Sequence, residues 1–106
     1  MPKYFLEGNY VGEGIKGLLK EGGSSRIQTV TQLIEGMGGK VEGFYYAFGD
    51  VDVLGIVDFP DHATAAALSL AVNASGAVTI KTTVLMSPEE IDEAAKKTVD
   101  YRPPGQ

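Results

Sequence analysis

Two strand-forming segments lie nearly end to end in the middle of this 106-residue chain. Val41–Phe48 is rich in aromatic residues, Val51–Phe59 in β-branched and apolar ones, and only Gly49-Asp50 separates them. A connection that short cannot carry a crossover, so the two segments are expected to run antiparallel as a hairpin. The hairpin fixes the centre of the fold, and the flanking sequence is read outward from it.

On the N-terminal side, Lys3–Tyr10 alternates as a strand, with Tyr4, Leu6, Gly8 and Tyr10 on one face and Lys3, Phe5, Glu7 and Asn9 on the other. Gly12 and Gly14 break that pattern, and Ile15, Leu18 and Leu19 then suggest a short helical turn stopped by Gly22-Gly23. Ser24 or Ser25 can cap a second helix, in which Ile27, Val30, Ile34 and Met37 recur at helical spacing until Gly38-Gly39 ends it. On the C-terminal side, Pro60 closes the hairpin. Asp61 can cap a helix from about His62 to Ser75 that is apolar nearly all round. Ala77–Leu85 alternates as a fourth strand. Ser87-Pro88-Glu89-Glu90 is a capping box that opens a short helix with Asp92–Lys96 and Glu93–Lys97 pairs. Pro103-Pro104-Gly105 cannot continue a helix, so one domain is expected over 1–98 with a tail at 99–106.

This order, β-α-β-β-α-β followed by a short helix, implies an α+β domain of ferredoxin-like type. Right-handed crossovers place both main helices on one face of a four-stranded antiparallel sheet, with the third strand central. That strand carries Val51, Val53, Gly55, Val57 and Phe59 on one side and Asp52, Leu54, Ile56 and Asp58 on the other. In the second strand Val41, Gly43, Tyr45 and Ala47 alternate with Glu42, Phe44, Tyr46 and Phe48. Two helices cover only one face. The other would leave Phe5, Leu54, Ile56 and one set of aromatics in water, and such a patch marks an interface or a ligand cleft. Packing against the same face of a second copy is the simplest closed solution, so a homodimer or higher oligomer is expected.

The composition removes several function classes. There is no cysteine, which excludes disulfides, thiolate chemistry and sulfur-based zinc sites. The net charge is −5 and the nine lysines and arginines are scattered. Without a basic stripe, neither nucleic acid nor an anionic membrane surface is an expected partner. No apolar run has the length of a signal peptide core or a bilayer span, so cytoplasm is the expected location. The single histidine rules out a two-histidine metal site within one subunit, and neither a metal nor a cofactor is expected.

The candidate site residues are few. Asp52 follows a tight turn and opens a strand with apolar neighbours. It reads either as a general base or ligand contact, or as a turn aspartate that accepts nearby backbone N–H groups, and the second reading is preferred. Glu7, Asn9 and Asp58 fall on the same face as Asp52 by alternation and could complete a polar cleft; Asp58 is read rather as an exposed strand-end residue. Tyr10, Tyr45 and Tyr46 could each line a cleft or serve as packed tyrosines with satisfied hydroxyls. Arg26, near a helix start, could hold an anionic substrate or form a surface ion pair. His62 reads as an exposed first-turn residue. Gly22-Gly23-Ser24-Ser25 precedes a helix but lacks the lysine and spacing of a phosphate loop.

Certain stretches resemble the GYD-domain proteins, small bacterial and archaeal proteins of uncharacterised function. They are Gly8-Asn9-Tyr10, Gly14-Ile15-Lys16-Gly17-Leu18-Leu19-Lys20-Glu21-Gly22-Gly23 with Arg26 after it, and Phe44-Tyr45-Tyr46-Ala47-Phe48-Gly49. Asp52 and Ala65-Ala66-Ala67-Leu68 continue the likeness, which ends near Ser87-Pro88-Glu89-Glu90. The hairpin reads Gly49-Asp50-Val51-Asp52, with valine where the family's Gly-Tyr-Asp signature leads one to expect tyrosine. The resemblance implies a relation to the dimeric α/β-barrel group, whose members range from cofactor-free monooxygenases and isomerases to heme enzymes and ligand-binding regulators; fold alone does not choose among them. The expected function is that of a homo-oligomeric small-molecule-binding or accessory protein, with Glu7, Asn9, Tyr45, Asp52 and Arg26 as the contacts to a small apolar or aromatic ligand. One alternative is a cofactor-free isomerase or monooxygenase for an aromatic or quinone-like compound, using Asp52 and Tyr46. Another is a structural assembly protein built through the alanine-rich helix.

Overall fold

The computed structural model describes residues 1–47 and 49–106. Its elements are β1 (Lys3–Tyr10), α1 (Gly12–Glu21), α2 (Gly23–Gly36), β2 (Lys40–Tyr46), β3 (Val53–Asp58), α3 (His62–Ala74), β4 (Val78–Leu85) and α4 (Pro88–Ala95). The four strands form one antiparallel sheet in the order β2-β3-β1-β4, so β3 and β1 are central. This is the ferredoxin-like α+β arrangement that the element order implies.

The alternation of β1 decides where the core sits. Tyr4, Leu6 and Gly8 are buried beneath the helices, while Phe5, Glu7 and Asn9 point the other way. Across the ladder, Val53, Gly55 and Val57 share the buried side. Ile34 from α2 and Ala65 and Leu68 from α3 close over Tyr4, Leu6, Val57 and Phe59. Ile34, Val57 and Phe59 are each 0% exposed. Burying a side chain of this size contributes roughly 1.5–3 kcal/mol. No helix is long and apolar enough to cross a membrane among the described residues.

Local signals end the elements where steric rules require. Asp61 caps α3, its carboxylate accepting the Thr64 N–H at 2.8 Å. Ser87 and Glu90 form the reciprocal capping box of α4. After α2 the chain turns at Gly38, whose φ of +84° favours glycine, and the Gly39 N–H donates back to the Ile34 carbonyl at 2.9 Å.

Five expectations need correction. The strands of the hairpin are shorter than their apolar runs: β2 stops at Tyr46 and β3 starts at Val53. Between them the Ala47 N–H donates to the Asp52 carbonyl and the Asp52 N–H to the Gly8 carbonyl. Phe48, the last residue of the expected second strand, lies outside the described residues. Next, β2 does not keep a strict alternation. A bulge between Val41 and Gly43 shifts the register, so Val41 (opposite Val57), Phe44 (opposite Gly55) and Tyr46 (opposite Val53) all face the helices. Tyr45, opposite Leu54, faces the other way.

The short turn at Ile15–Leu19 is in fact the ten-residue helix α1, which contains Gly12, Gly14 and Gly17. Gly22, with φ +86°, separates it from α2, and neither Ser24 nor Ser25 supplies a cap because both already lie inside the first turn. Finally, α4 ends at Ala95, before Lys96 and Lys97 complete a further turn, and neither expected pair is among the ion pairs of the described residues.

Candidate ligand cleft

Between α2, α3 and the sheet the packing is incomplete. Glycine occupies two core-facing positions of the central strands, Gly8 on β1 and Gly55 on β3. A glycine inside a strand withholds a side chain where neighbours would otherwise meet one. The Phe44 ring takes the space over Gly55, where an added Cβ would stand 3.1 Å from it. What remains is an apolar cavity of about 80 Å³ whose walls include Leu6, Val30, Phe44, Leu68, Val72 and Ile80. Two polar side chains, Tyr10 and Arg26, stand at its edge. A second cleft of about 180 Å³ adjoins it under α1, sharing Tyr10, Arg26 and Val78 and adding Glu13 and Glu21.

The position of α1 shapes this second cleft. Gly14 lets the helix backbone approach the start of β4 so closely that a Cβ there would sit 2.0 Å from the Ala77 carbonyl oxygen. The Val11 N–H donates to that same oxygen at 2.9 Å. The Tyr46 hydroxyl donates to the Gly23 carbonyl at 3.0 Å, tying β2 to the first turn of α2. Burial, with the neighbouring Tyr10 phenol, pushes the Tyr46 hydroxyl up from 10.0 to about 12. It is therefore a neutral donor at physiological pH. Arg26 is half-buried and takes part in none of the ion pairs found among the described residues.

Of the residues expected to form a site, the fold brings Tyr10 and Arg26 to the walls of this cleft, with the Tyr46 phenol beside them. Glu7, Asn9 and Tyr45 lie on the opposite side of the sheet, where Glu7 faces Leu54 and Lys81 across the ladder and Asn9 faces Thr79. The Asp52 carboxylate accepts the Tyr10 N–H at 2.9 Å, holding the loop to the end of β1. Asp58 and Glu42 both receive the Lys3 ammonium, at 3.0 and 2.8 Å. These bonds raise the Lys3 pKa. His62 is exposed, as its position implies, but its Nδ1 meets the hydroxyl of buried Tyr4 at 2.5 Å. Among the described residues no three His, Asp or Glu side chains gather where they could hold a metal ion.

Sequence reasoning passed over the cavity walls, above all Val30, Val72 and the two strand glycines. Their signal was present. Gly8 and Gly55 interrupt the apolar faces of the two strands that the topology makes central, and a glycine there marks a gap or a close approach.

The geometry can be set beside known proteins. No curated protein matches the chain. A crystal structure of an AsnC family transcriptional regulator from Agrobacterium tumefaciens is similar, with a TM-score of 0.53 and 21% sequence identity, over 96% of this chain and 56% of that one. At that identity the likeness shows a shared fold, and this chain spans little more than half of that regulator's length. The family model of the GYD domain matches residues 4–95, from the first core tyrosine to the end of α4, and the chain belongs to the GYD-domain family.

Proposed function

We propose that the chain is a homo-oligomeric ligand-sensing or accessory protein that binds one small apolar or aromatic molecule between its helices and its sheet. The observation that carries this reading is the cavity at Gly8 and Gly55, apolar along its walls and polar only at Tyr10 and Arg26. Small-molecule pockets have this composition, an apolar body with a few polar groups that orient the guest. A role in sensing draws support from the fold shared with part of a transcriptional regulator.

Binding is favoured over turnover because the strongest candidate base is already engaged. The Asp52 carboxylate accepts a backbone N–H at the end of β1. The Tyr46 phenol holds its proton to about 12 and donates it to a backbone carbonyl. Calorimetric titration of the purified chain with a panel of small apolar and aromatic compounds tests the reading. Saturable heat from at least one compound, lost on filling the cavity with Val30→Phe, is the expected result; no heat from any of them removes the proposal.

A further inference from the structure

We infer that the molecule taken by this cavity is a small monocarboxylate, its apolar body inside and its carboxylate on Arg26. This rests on the cavity reading above and adds the charge and size of the guest. The charge follows from Arg26. The Arg26 guanidinium is half-buried beside the apolar cavity, and its flat fork of donors matches a carboxylate. Among the described residues no carboxylate lies within ion-pairing distance of it. A guest entering with its acid group last would supply that partner.

The limit to one negative charge follows from the adjoining cleft. Glu13 and Glu21 line it alongside Arg26 and Tyr10, so a second carboxylate reaching outward would meet two like charges. The neutral Tyr46 hydroxyl beside Tyr10 adds no competing anion. The size follows from the volume. A cavity of about 80 Å³ offers room for about five to eight water-sized positions at roughly 10–15 Å³ each. That suits a four- to six-carbon chain or a single ring better than a fused-ring compound.

The test uses the full chain and defined probes: hexanoate and benzoate, their neutral counterparts hexanol and benzyl alcohol, and the dianion adipate. Methyl signals of Val30, Leu33, Val72 and Val78 report entry in proton–carbon spectra. The acids are expected to shift these methyls and to bind at least about tenfold more tightly than the alcohols, as a charge-assisted hydrogen bond allows. Arg26→Gln should abolish that preference, and Arg26→Lys should restore part of it. Added salt should weaken the acids and not the alcohols, a readout that needs no variant. Alcohols binding as tightly as acids would overturn the inference and leave the cavity reading intact. Adipate matching hexanoate would overturn the single-charge limit. Cavity methyls unmoved by every probe would overturn both readings.

Discussion

At the scale of single residues, the polar groups of this domain hold backbone in place more than they await substrates. Asp52 is the clearest case. Its N–H, carbonyl and carboxylate each have a partner, in Gly8, Ala47 and Tyr10 respectively. Removing the carboxylate leaves the Tyr10 N–H without its charged acceptor, so Asp52→Ala should lower the unfolding free energy by about 1–3 kcal/mol in urea titrations. Asp52→Asn keeps an acceptor oxygen and should lose less. An unchanged urea midpoint for Asp52→Ala would show that this bond is not holding the loop. Tyr46 gives a pH dependence of defined sign. Its folded pKa is raised from 10.0 to about 12, so as pH passes 10 the unfolded chain loses this proton first. The unfolded state then binds fewer protons and stability falls between pH 10 and 12. Tyr46→Phe should flatten this alkaline slope without abolishing it, because Tyr4 and Lys3 are also raised in the folded state. Thermal melts from pH 9 to 12 check it; an equal slope in the variant would rule out the assigned cause.

At the scale of elements, what could be read from the sequence was whatever depends on neighbours in the chain. The strand alternation of β1, the cap at Asp61, the capping box at Ser87 and the turn at Gly38 all follow from local rules, and each stands in the structure. The features that escaped depend on partners far away in sequence. The β2 bulge exists only against β3, and it moves Phe44 and Tyr46 to the helix side of the sheet. The wall of the cavity depends on that shift, as does the tie from Tyr46 to α2. Gly14 shows the same limit. Along the chain it reads as a break, yet it sits inside α1 because its missing side chain admits the Ala77 carbonyl. Gly14→Ala has good intrinsic helix propensity but would place a methyl 2.0 Å from that oxygen. The helix would have to move off β4, at a cost of roughly 1–3 kcal/mol. Hydrogen exchange should then show the Val11 amide, which donates to Ala77, losing protection relative to the amides of β1. Retained protection at Val11 would mean that α1 is not seated through this contact.

At the scale of the whole molecule, two surfaces are left without cover. Half-buried Phe5, Leu54 and Ile56 and the 67%-exposed Tyr45 lie on the side of the sheet away from the helices. The C-terminal arm forms the second. Helix α4 buries none of its residues, and Ile91, Val99 and Tyr101 are all more than half exposed. The chain's dimensions agree, since its radius of gyration is 17.1 Å, against about 13 Å expected for a compact domain of this length. An apolar sheet face and an extended apolar arm together are poorly suited to an isolated chain in water, and one copy can cover both for another. Sedimentation equilibrium should therefore give at least twice the 11.2 kDa chain mass. Ile56→Lys puts a charge in the middle of the open face without touching the core formed by Tyr4, Ile34 and Val57. It should shift the protein towards monomer while leaving its circular dichroism unchanged. Deleting residues 87–106 removes the arm alone, so the two variants separate the contribution of each surface. A wild-type chain that sediments as a monomer, with Phe5, Leu54 and Ile56 in contact with water, would show that this face needs no partner.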